Sequence, residues 1–347
     1  KGHKIYPCTP QFPEGLVSLL AYIRQKGMIP GLWLELEVMG LNCPLAKEKP
    51  DDWFFMRHGK RVREKTRYQL DYRNPEVRKF ATDVIRRLVE EYGVGYIKMD
   101  YNIEPGIGTD RDADSPGDGL LEHSRAYLSW LDGIFARWPG LVIENCGSGG
   151  MRMDYAMLKR HSVQSTSDME DYKMYATIAV NAPLALTPEQ AAVWSYPLTP
   201  SDEEETIFNM VNVLLLRIHQ SGHLFRLGEK SQALIREAIS YYKETREDRK
   251  RALPFWPLGF SGYRDHWAAL GMRGEKKSYL AVWRRGGEQE TCELPLPEYQ
   301  GRELTVRCAY PKAMDVSHTW DPKSGCLTVR YPEKVMARLY EIEPRSL

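Results

Sequence analysis

Residues 74–100 read NPEVRKFATDVIRRLVEEYGVGYIKMD, and this stretch decides the predicted fold. Apolar residues recur at helical spacing over residues 74–92, which predicts an amphipathic helix. Gly93 ends that helix, and residues 96–100 then form a predicted buried strand whose last residue, Asp100, is polar. A helix followed by an apolar strand is the unit of a parallel sheet covered by helices.

The same unit is predicted twice more along the chain. A helix over residues 16–27 leads into a strand over residues 28–35, and a helix over residues 121–138 leads into a strand over residues 141–146. A (β/α)8 barrel places its catalytic groups at the carboxyl ends of its strands. Four polar residues fall at such predicted strand ends, namely Glu35, Asp71, Asp100 and Cys146.

A doubly wound sheet is the alternative architecture, but it requires a glycine-rich phosphate-binding turn after an early strand. The only glycine cluster, residues 147–150, follows a strand in the middle of the chain. We therefore predict an α/β fold, a (β/α)8 TIM barrel over residues 1–253.

Beyond residue 254 the pattern changes to short strands separated by turn residues, which predicts a C-terminal antiparallel β-sandwich over residues 254–347. The predicted strands cover residues 267–272, 279–283, 304–308, 326–331 and 336–342.

The composition narrows the classes of function. Among 347 residues, 48 are Lys or Arg and 47 are Asp or Glu, so the net charge is 48 − 47 = +1, which argues against a nucleic-acid partner. No apolar run approaches the roughly 20 residues of a membrane helix. The six cysteines are sparse and include no CxxC pair, which favours a reducing, cytoplasmic compartment over a disulfide framework or a zinc ribbon. The chain starts without methionine, and we expect it to be part of a longer one.

Lys98 and Asp100 are the first candidate site residues. Their spacing of two places both side chains on one face of the predicted strand. A nearby ammonium group holds a carboxylate ionised, as a nucleophile requires. A structural ion pair explains the same spacing, and the sequence leaves both possibilities open.

Asp168 is the second candidate carboxylate. It lies in the segment STSDMED, residues 165–171, where hydroxyl and acidic side chains are also typical of a helix N-cap. If Asp168 and Asp100 lie on neighbouring strands, they form the carboxylate pair that glycoside hydrolysis needs.

Trp33, Cys146 and two histidines have competing interpretations. Trp33 is either a core residue or an apolar platform for the C–H face of a sugar. Cys146 lacks an indicated histidine partner, so a place in a pocket wall is favoured over a nucleophilic role. His219 and His223 are four residues apart on a predicted helix without the acid of an HExxH motif, so no metal site is expected.

Five motifs follow one another at intervals that resemble those of the family 36 retaining α-galactosidases. They are residues 31–37 (GLWLELE), 70–77 (LDYRNPEV), 98–102 (KMDYN) and 144–154 (ENCGSGGMRMD), and Ser167-Asp168 with Asp171. Each motif is short, but the ordered set covers about residues 10–200 and makes a specific match.

The resemblance implies a role for each matching position. The family's nucleophile falls on Asp100 and its acid/base on Asp168. The family's galactose contacts fall on Trp33, Lys98, Cys146 and Gly149. An arginine before the Leu-Asp pair also contacts sugar in the family; Arg67 is the candidate here, although strict counting selects Lys65. No cofactor or metal is implied.

The chain departs from the family in two places. Asn102 is followed by Ile103 where the family has arginine, so we expect a contact beyond the first sugar to be lost. The Asp-Asp-Gly-Trp motif of the family's first barrel strand does not precede Phe12. We expect that strand, the sugar-binding aspartates on it and the family's N-terminal β-sandwich to be missing from the printed sequence.

The sequence therefore predicts a retaining α-galactosidase acting on raffinose- or melibiose-type α-galactosides. Two enzymatic alternatives remain open, an α-N-acetylgalactosaminidase and a galactosyl transferase of the raffinose-synthase kind. An inactive carbohydrate-binding fragment is the non-enzymatic alternative. Relatives are often oligomeric, and a homo-oligomer is left open.

Overall fold

The structure is a computed structural model that describes residue 12 and residues 15–197 and 202–345. The chain divides into two compact units, Lys1–Gln164 and Ser165–Leu347. Of the six cysteines, Cys8 lies outside the described residues, and the other five are free thiols. None of the helices in the described ranges combines the length and the apolar character that a membrane span requires.

The first unit alternates helices with short strands, as predicted. Its helices are α1 (Leu16–Gln25), α2 (Pro44–Glu48), α3 (Pro75–Arg86), α4 (Pro116–Arg137) and α5 (Tyr155–Leu158). Its strands are β1 (Gly31–Leu34), β2 (Val38–Gly40), β3 (Met56–Arg57), β4 (Lys60–Arg61), β5 (Arg63–Glu64), β6 (Arg67–Gln69), β7 (Tyr96–Met99), β8 (Val142–Asn145) and β9 (Val163–Ser165).

A parallel sheet forms the centre of this unit. Strand β7 pairs with β1 on one side and with β8 on the other, and β8 pairs in turn with β9. Ile97, Met99 and Ile143 are fully buried among the covering helices. Parallel strands covered on both faces read as continuous apolar runs, which is why the sequence pattern located them.

Local signals fix the helix ends. Helix α3 begins where the Asn74 side chain accepts a hydrogen bond from the Glu76 backbone N–H and Pro75 occupies the first turn. Helix α4 begins earlier than predicted, because Ser115 caps it and Pro116 starts its first turn. Prolines and caps therefore set these boundaries more closely than apolar periodicity does.

The expectation that Asp71 ends a barrel strand is wrong. The preceding strand, β6, pairs antiparallel with β2 and β5 in a separate three-stranded sheet. The Asp71 carboxylate is buried, 2.6 Å from the Arg73 guanidinium. The Leu-Asp motif is thus part of a connection between β1 and β7, where the carboxylate holds the turn before α3.

The second unit begins with further helices and two parallel strands. Strands β10 (Ala191–Ser195) and β11 (Arg217–Gln220) pair in parallel, and the helices are α6 (Tyr172–Asn181), α7 (Glu203–Leu214) and α8 (Glu229–Arg249). The predicted helix that carries His219 and His223 is wrong, because α7 ends at Leu214 and His219 lies in β11. No group of three potential metal-binding side chains occurs among the described residues.

Two antiparallel sheets follow, around a common apolar core. The larger sheet has the strand order β12 (Leu253–Phe255), β13 (Trp267–Arg273), β14 (Ser278–Arg284), β19 (Met336–Pro344) and β16 (Leu304–Tyr310). The smaller has the order β15 (Thr291–Pro295), β18 (Cys326–Arg330) and β17 (His318–Asp321). Leu280 and Val282 from the first sheet and Leu327 and Val329 from the second belong to one buried cluster. Strands β12, β15 and β17 are the three that the sequence did not predict.

Candidate active site

Asp100 lies directly after β7, at the carboxyl end of the parallel sheet of the first unit. The residue is 7% exposed, and its two carboxylate oxygens accept hydrogen bonds from different donors. The Trp33 indole Nε1 donates to Oδ2 at 3.0 Å, and the Tyr101 backbone N–H donates to Oδ1 at 2.9 Å. The strand that precedes Asp100 and the neighbouring strand β1 thus hold this carboxylate in place.

The surroundings of Asp100 favour its ionised form. Burial by itself raises the pKa of this carboxyl, but hydrogen bonds from Asn102, Trp33 and Cys146 and from the Tyr101 backbone outweigh burial, so the pKa lies below its usual value. An ionised, hydrogen-bonded carboxylate with a defined orientation is what a nucleophile at a sugar carbon requires.

Trp33 is not a core residue. It lies on β1, yet it remains 52% exposed while its indole N–H is bonded to Asp100. The indole therefore presents an apolar surface to solvent directly beside the carboxylate. An exposed aromatic ring in this position suits the C–H face of a sugar.

Lys98 has a partner that the sequence analysis missed. Its Nζ lies 3.2 Å from Oε1 of Glu144, which is directly opposite Lys98 in the β7–β8 register. The other oxygen of Glu144 accepts a hydrogen bond of 2.5 Å from the Tyr96 hydroxyl. Burial lowers the pKa of Lys98, but attraction by Glu144, Cys146 and Asp100 outweighs it, and the pKa is raised overall. The ion pair of Lys98 is thus formed with Glu144, while Asp100 adds a further attraction.

The Cys146 thiol is buried at the end of β8. Burial, together with the charge of Asp100, raises its pKa to about 11, although Lys98 acts in the opposite direction. A thiol with this pKa is protonated at neutral pH and is a poor nucleophile. The raised pKa therefore argues against a nucleophilic role for Cys146.

Arg67 and Lys65, the two alternatives for one predicted sugar contact, have different surroundings. The Arg67 Nε donates to the Glu35 carboxylate at 3.0 Å, and the side chain of Arg67 is 26% exposed. The side chain of Lys65 is 62% exposed and pairs with Glu64 at 3.3 Å. The structure thus joins Arg67, and not Lys65, to Glu35 at the end of β1.

The glycine cluster after Cys146 forms a tight turn. Ser148 and Gly149 both have positive φ, 45° and 77°, and the Gly147 N–H donates to the Gly149 carbonyl at 3.1 Å. Gly149 is buried, and its backbone acts to lower the pKa of the Cys146 thiol, against the overall rise. The conformation at Gly149 favours glycine, which gives a physical reason for this residue type next to the site.

Asp168 lies in the second unit, in the segment between β9 and α6, and is exposed. The helix cap that the sequence pattern suggested is provided by Asp171, whose side chain accepts hydrogen bonds from the Lys173 and Met174 backbones. The carboxylate of Asp168 therefore does not serve as the cap of α6.

Comparison with known proteins identifies the family of the chain. A model of the melibiase family matches residues 8–247. The chain belongs to the melibiase family. The chain is 30% identical over 309 residues to α-galactosidase 2 of Pediococcus pentosaceus, which is 85% of this chain and 41% of that protein. It is 25% identical over 254 residues to α-galactosidase AgaA of Geobacillus stearothermophilus, 68% of this chain and 33% of that protein.

Solved structures show the fold of the chain. A variant of AgaA, a family 36 enzyme crystallised with stachyose, superposes with a TM-score of 0.84 at 16% identity, covering 99% of this chain and 48% of that one. The galactosidase domain of AgaSK, an α-galactosidase–sucrose kinase, has a TM-score of 0.81 at 18% identity, with 97% and 47% covered. The predicted TIM barrel followed by an antiparallel β-domain is thereby confirmed. The chain spans about half the length of these solved relatives and less of the curated ones.

Proposed function

We propose that this chain removes terminal α-D-galactosyl residues from raffinose- or melibiose-type α-galactosides with retention of configuration. The observation that carries the proposal is the Asp100 carboxylate, held ionised at a strand end beside the exposed Trp33 ring. The names of the relatives support the substrate class, and the AgaA structure with bound stachyose supports an α-galactoside as ligand.

In the proposed mechanism, Asp100 attacks the anomeric carbon while Asp168 protonates the leaving oxygen. The resulting galactosyl ester on Asp100 is then hydrolysed by a water molecule that Asp168 deprotonates. A retaining enzyme requires the two carboxyl groups about 5–5.5 Å apart when substrate binds. Asp168 must be protonated in the first step while Asp100 is ionised, so the two carboxyl groups need different surroundings.

The remaining site residues bind the sugar in this proposal. The Trp33 ring packs against the C–H face of the galactose, and Lys98 donates hydrogen bonds to its hydroxyl groups. Cys146 and Gly149 line the pocket after β8. Arg67 contacts the sugar from the short antiparallel sheet, and its pairing with Glu35 supports this choice over Lys65.

Leaving-group dependence tests the two roles. The Asp100→Ala variant should lose turnover of aryl α-galactosides with both good and poor leaving groups. The Asp168→Ala variant should keep most turnover of the activated substrate only, because a good leaving group needs no proton. Asp171→Asn is a matched control, since asparagine also caps α6. Equal loss of both substrates in Asp168→Ala would contradict the acid/base role.

The same assay separates the alternative activities. Hydrolysis of an N-acetylgalactosaminide would indicate an α-N-acetylgalactosaminidase. Galactosyl transfer to added sugar would indicate a galactosyl transferase. Ligand binding without turnover would leave a carbohydrate-binding protein. Proton NMR identifies the anomer of galactose that is released first, and this anomer decides between retention and inversion.

We further propose a barrel over residues 1–253 and a β-sandwich over residues 254–347. The strand Leu253–Phe255 supports this boundary, because it pairs antiparallel with Trp267–Arg273. A cytoplasmic location is proposed from the sparse, free cysteines. A homo-oligomer is proposed from the resemblance to family 36, and light scattering of the purified chain tests it.

A further inference from the structure

Asn102, two residues after Asp100, has an amide group that is bonded on both sides. Its Nδ2 donates to Oε1 of Glu35 at 3.0 Å. Its Oδ1 accepts hydrogen bonds from the Ser148 backbone N–H at 2.8 Å and from the Ser148 hydroxyl at 2.9 Å. The second oxygen of Glu35 accepts from Arg67 at 3.0 Å, so the Glu35 carboxylate is itself fixed.

These partners permit only one orientation of the amide. An ionised carboxylate can only accept hydrogen bonds, and a backbone N–H can only donate them. Rotating the Asn102 amide by 180° would place its oxygen against the Glu35 carboxylate and its NH2 group against the Ser148 N–H. In the observed orientation, one N–H is bonded to Glu35, and the interaction of the amide with Asp100 helps to lower the pKa of that carboxyl.

The backbone conformation of Ser148 indicates that its hydrogen bond to Asn102 has a role. Ser148 is an exposed residue with φ of 45°, in the left-handed region that favours glycine, and glycines flank it on both sides. A side chain at this position carries a backbone cost that glycine avoids. The hydroxyl that the serine provides is bonded to Asn102.

We propose that Glu35 and Ser148 are positioning residues that orient the Asn102 amide so that it presents an N–H group to the Asp100 carboxylate. The inference deepens the proposed function, and its catalytic meaning rests on that function. Neither residue needs to touch the sugar for this role. Its consequence is that the Ser148 hydroxyl acts on Asp100 through Asn102, and that Glu35 acts partly through Asn102 and partly through its own charge.

Glu35→Ala has two opposite effects on the pKa of Asp100. Loss of the negative charge lowers this pKa, whereas loss of the amide orientation raises it. A double-mutant cycle with Asn102 separates the two effects. The pKa of Asp100 is followed by carbon NMR of aspartate-labelled chain, with the resonance assigned through Asp100→Asn. Glu35→Ala is compared in the parent and in the Asn102→Ala background, which isolates the part that passes through Asn102. Glu35→Ala should change the pKa of Asp100 more positively in the parent than in the Asn102→Ala background. The expected difference between the two changes is about 0.5–1 pH unit.

Ser148→Ala is the second, charge-neutral variant and should show coupling of the same sign. The control is Glu64→Gln, which replaces a carboxylate on β5 that pairs with Lys65, and it should show no coupling. Equal pKa changes with and without Asn102 for both Glu35→Ala and Ser148→Ala would overturn the inference. The titration does not require turnover. If the chain hydrolyses no galactoside, this result refutes the proposed function but leaves the test of Glu35 and Ser148 intact. In an active chain, the acidic limb of the kcat/KM profile should move with the pKa of Asp100.

Discussion

Replacing Glu144 by glutamine should remove the carboxylate that pairs with the buried Lys98 ammonium group. Lys98 and Glu144 are 3.2 Å apart, and their side chains are 17% and 2% exposed. The glutamine oxygen can still accept from the Tyr96 hydroxyl, but its NH2 group then faces the Lys98 ammonium, donor against donor. The charge of Lys98 remains buried with its main attraction removed.

The expected loss of stability is about 3 kcal/mol at neutral pH. Breaking one partner of a buried ion pair typically costs roughly 3–5 kcal/mol, because the other charge stays desolvated. The lower end applies here, since Lys98 keeps some contact with solvent. A matched control is Glu90→Gln on the exposed pair with Arg137, whose side chains are 43% and 51% exposed. We expect the control to cost less than about 1 kcal/mol.

The pH dependence distinguishes this explanation from a simple packing defect. In the parent, the raised pKa of Lys98 contributes stability that is complete below the unfolded value of about 10.4 and is lost as pH rises through the folded pKa. In Glu144→Gln, burial lowers the pKa of Lys98, so the folded variant releases this proton earlier. The difference in unfolding free energy between the parent and the variant should therefore narrow as pH rises towards the unfolded pKa of about 10.4.

Urea denaturation of the parent, Glu144→Gln and Glu90→Gln across this pH range measures the effect. If the unfolding free energies of the parent and Glu144→Gln differ by less than about 1 kcal/mol at pH 7, the Lys98–Glu144 pair is not effectively buried. A large difference that stays constant up to pH 10 would instead refute the electrostatic reasoning and indicate lost packing.

Three further outcomes are expected. Trp33→Phe keeps an aromatic ring but removes the N–H donor to Asp100, so the pKa of Asp100 and the acidic limb of kcat/KM should rise by about 0.5–1 pH unit. Arg338→Met, which breaks the bidentate pair with Glu204, should cost about 3–5 kcal/mol in urea denaturation, and most of the loss should be recovered in the double variant with Glu204→Gln. Cys146, with a pKa of about 11, should react with iodoacetamide at neutral pH roughly 100-fold more slowly than free cysteine, as measured by mass spectrometry.

The sequence alone was enough for the secondary structure around the site. Apolar runs of strand length located residues 96–100 and 141–146, and helical periodicity located the segments between them, because both signals depend on neighbours in the chain. The same local reasoning failed for His219, where a helical pattern was extended past the end of α7 at Leu214 into a strand.

The interaction partners of the site residues became known only from the tertiary structure. Lys98 pairs with Glu144 because the parallel register of β7 and β8 places them opposite each other, and spacing along the chain does not contain that register. Asp71 follows an apolar residue as a strand end would, yet it belongs to a turn beside an antiparallel sheet.

The sequence by itself determined the alternation of helices and strands, the polar residue at the end of β7 and the ordered motifs of the melibiase family. Only the tertiary structure decided that Trp33 is exposed and donates to Asp100, and which way the Asn102 amide faces. Periodicity reports burial and local backbone geometry, whereas the pKa and orientation of a site residue are set by atoms that are distant in sequence.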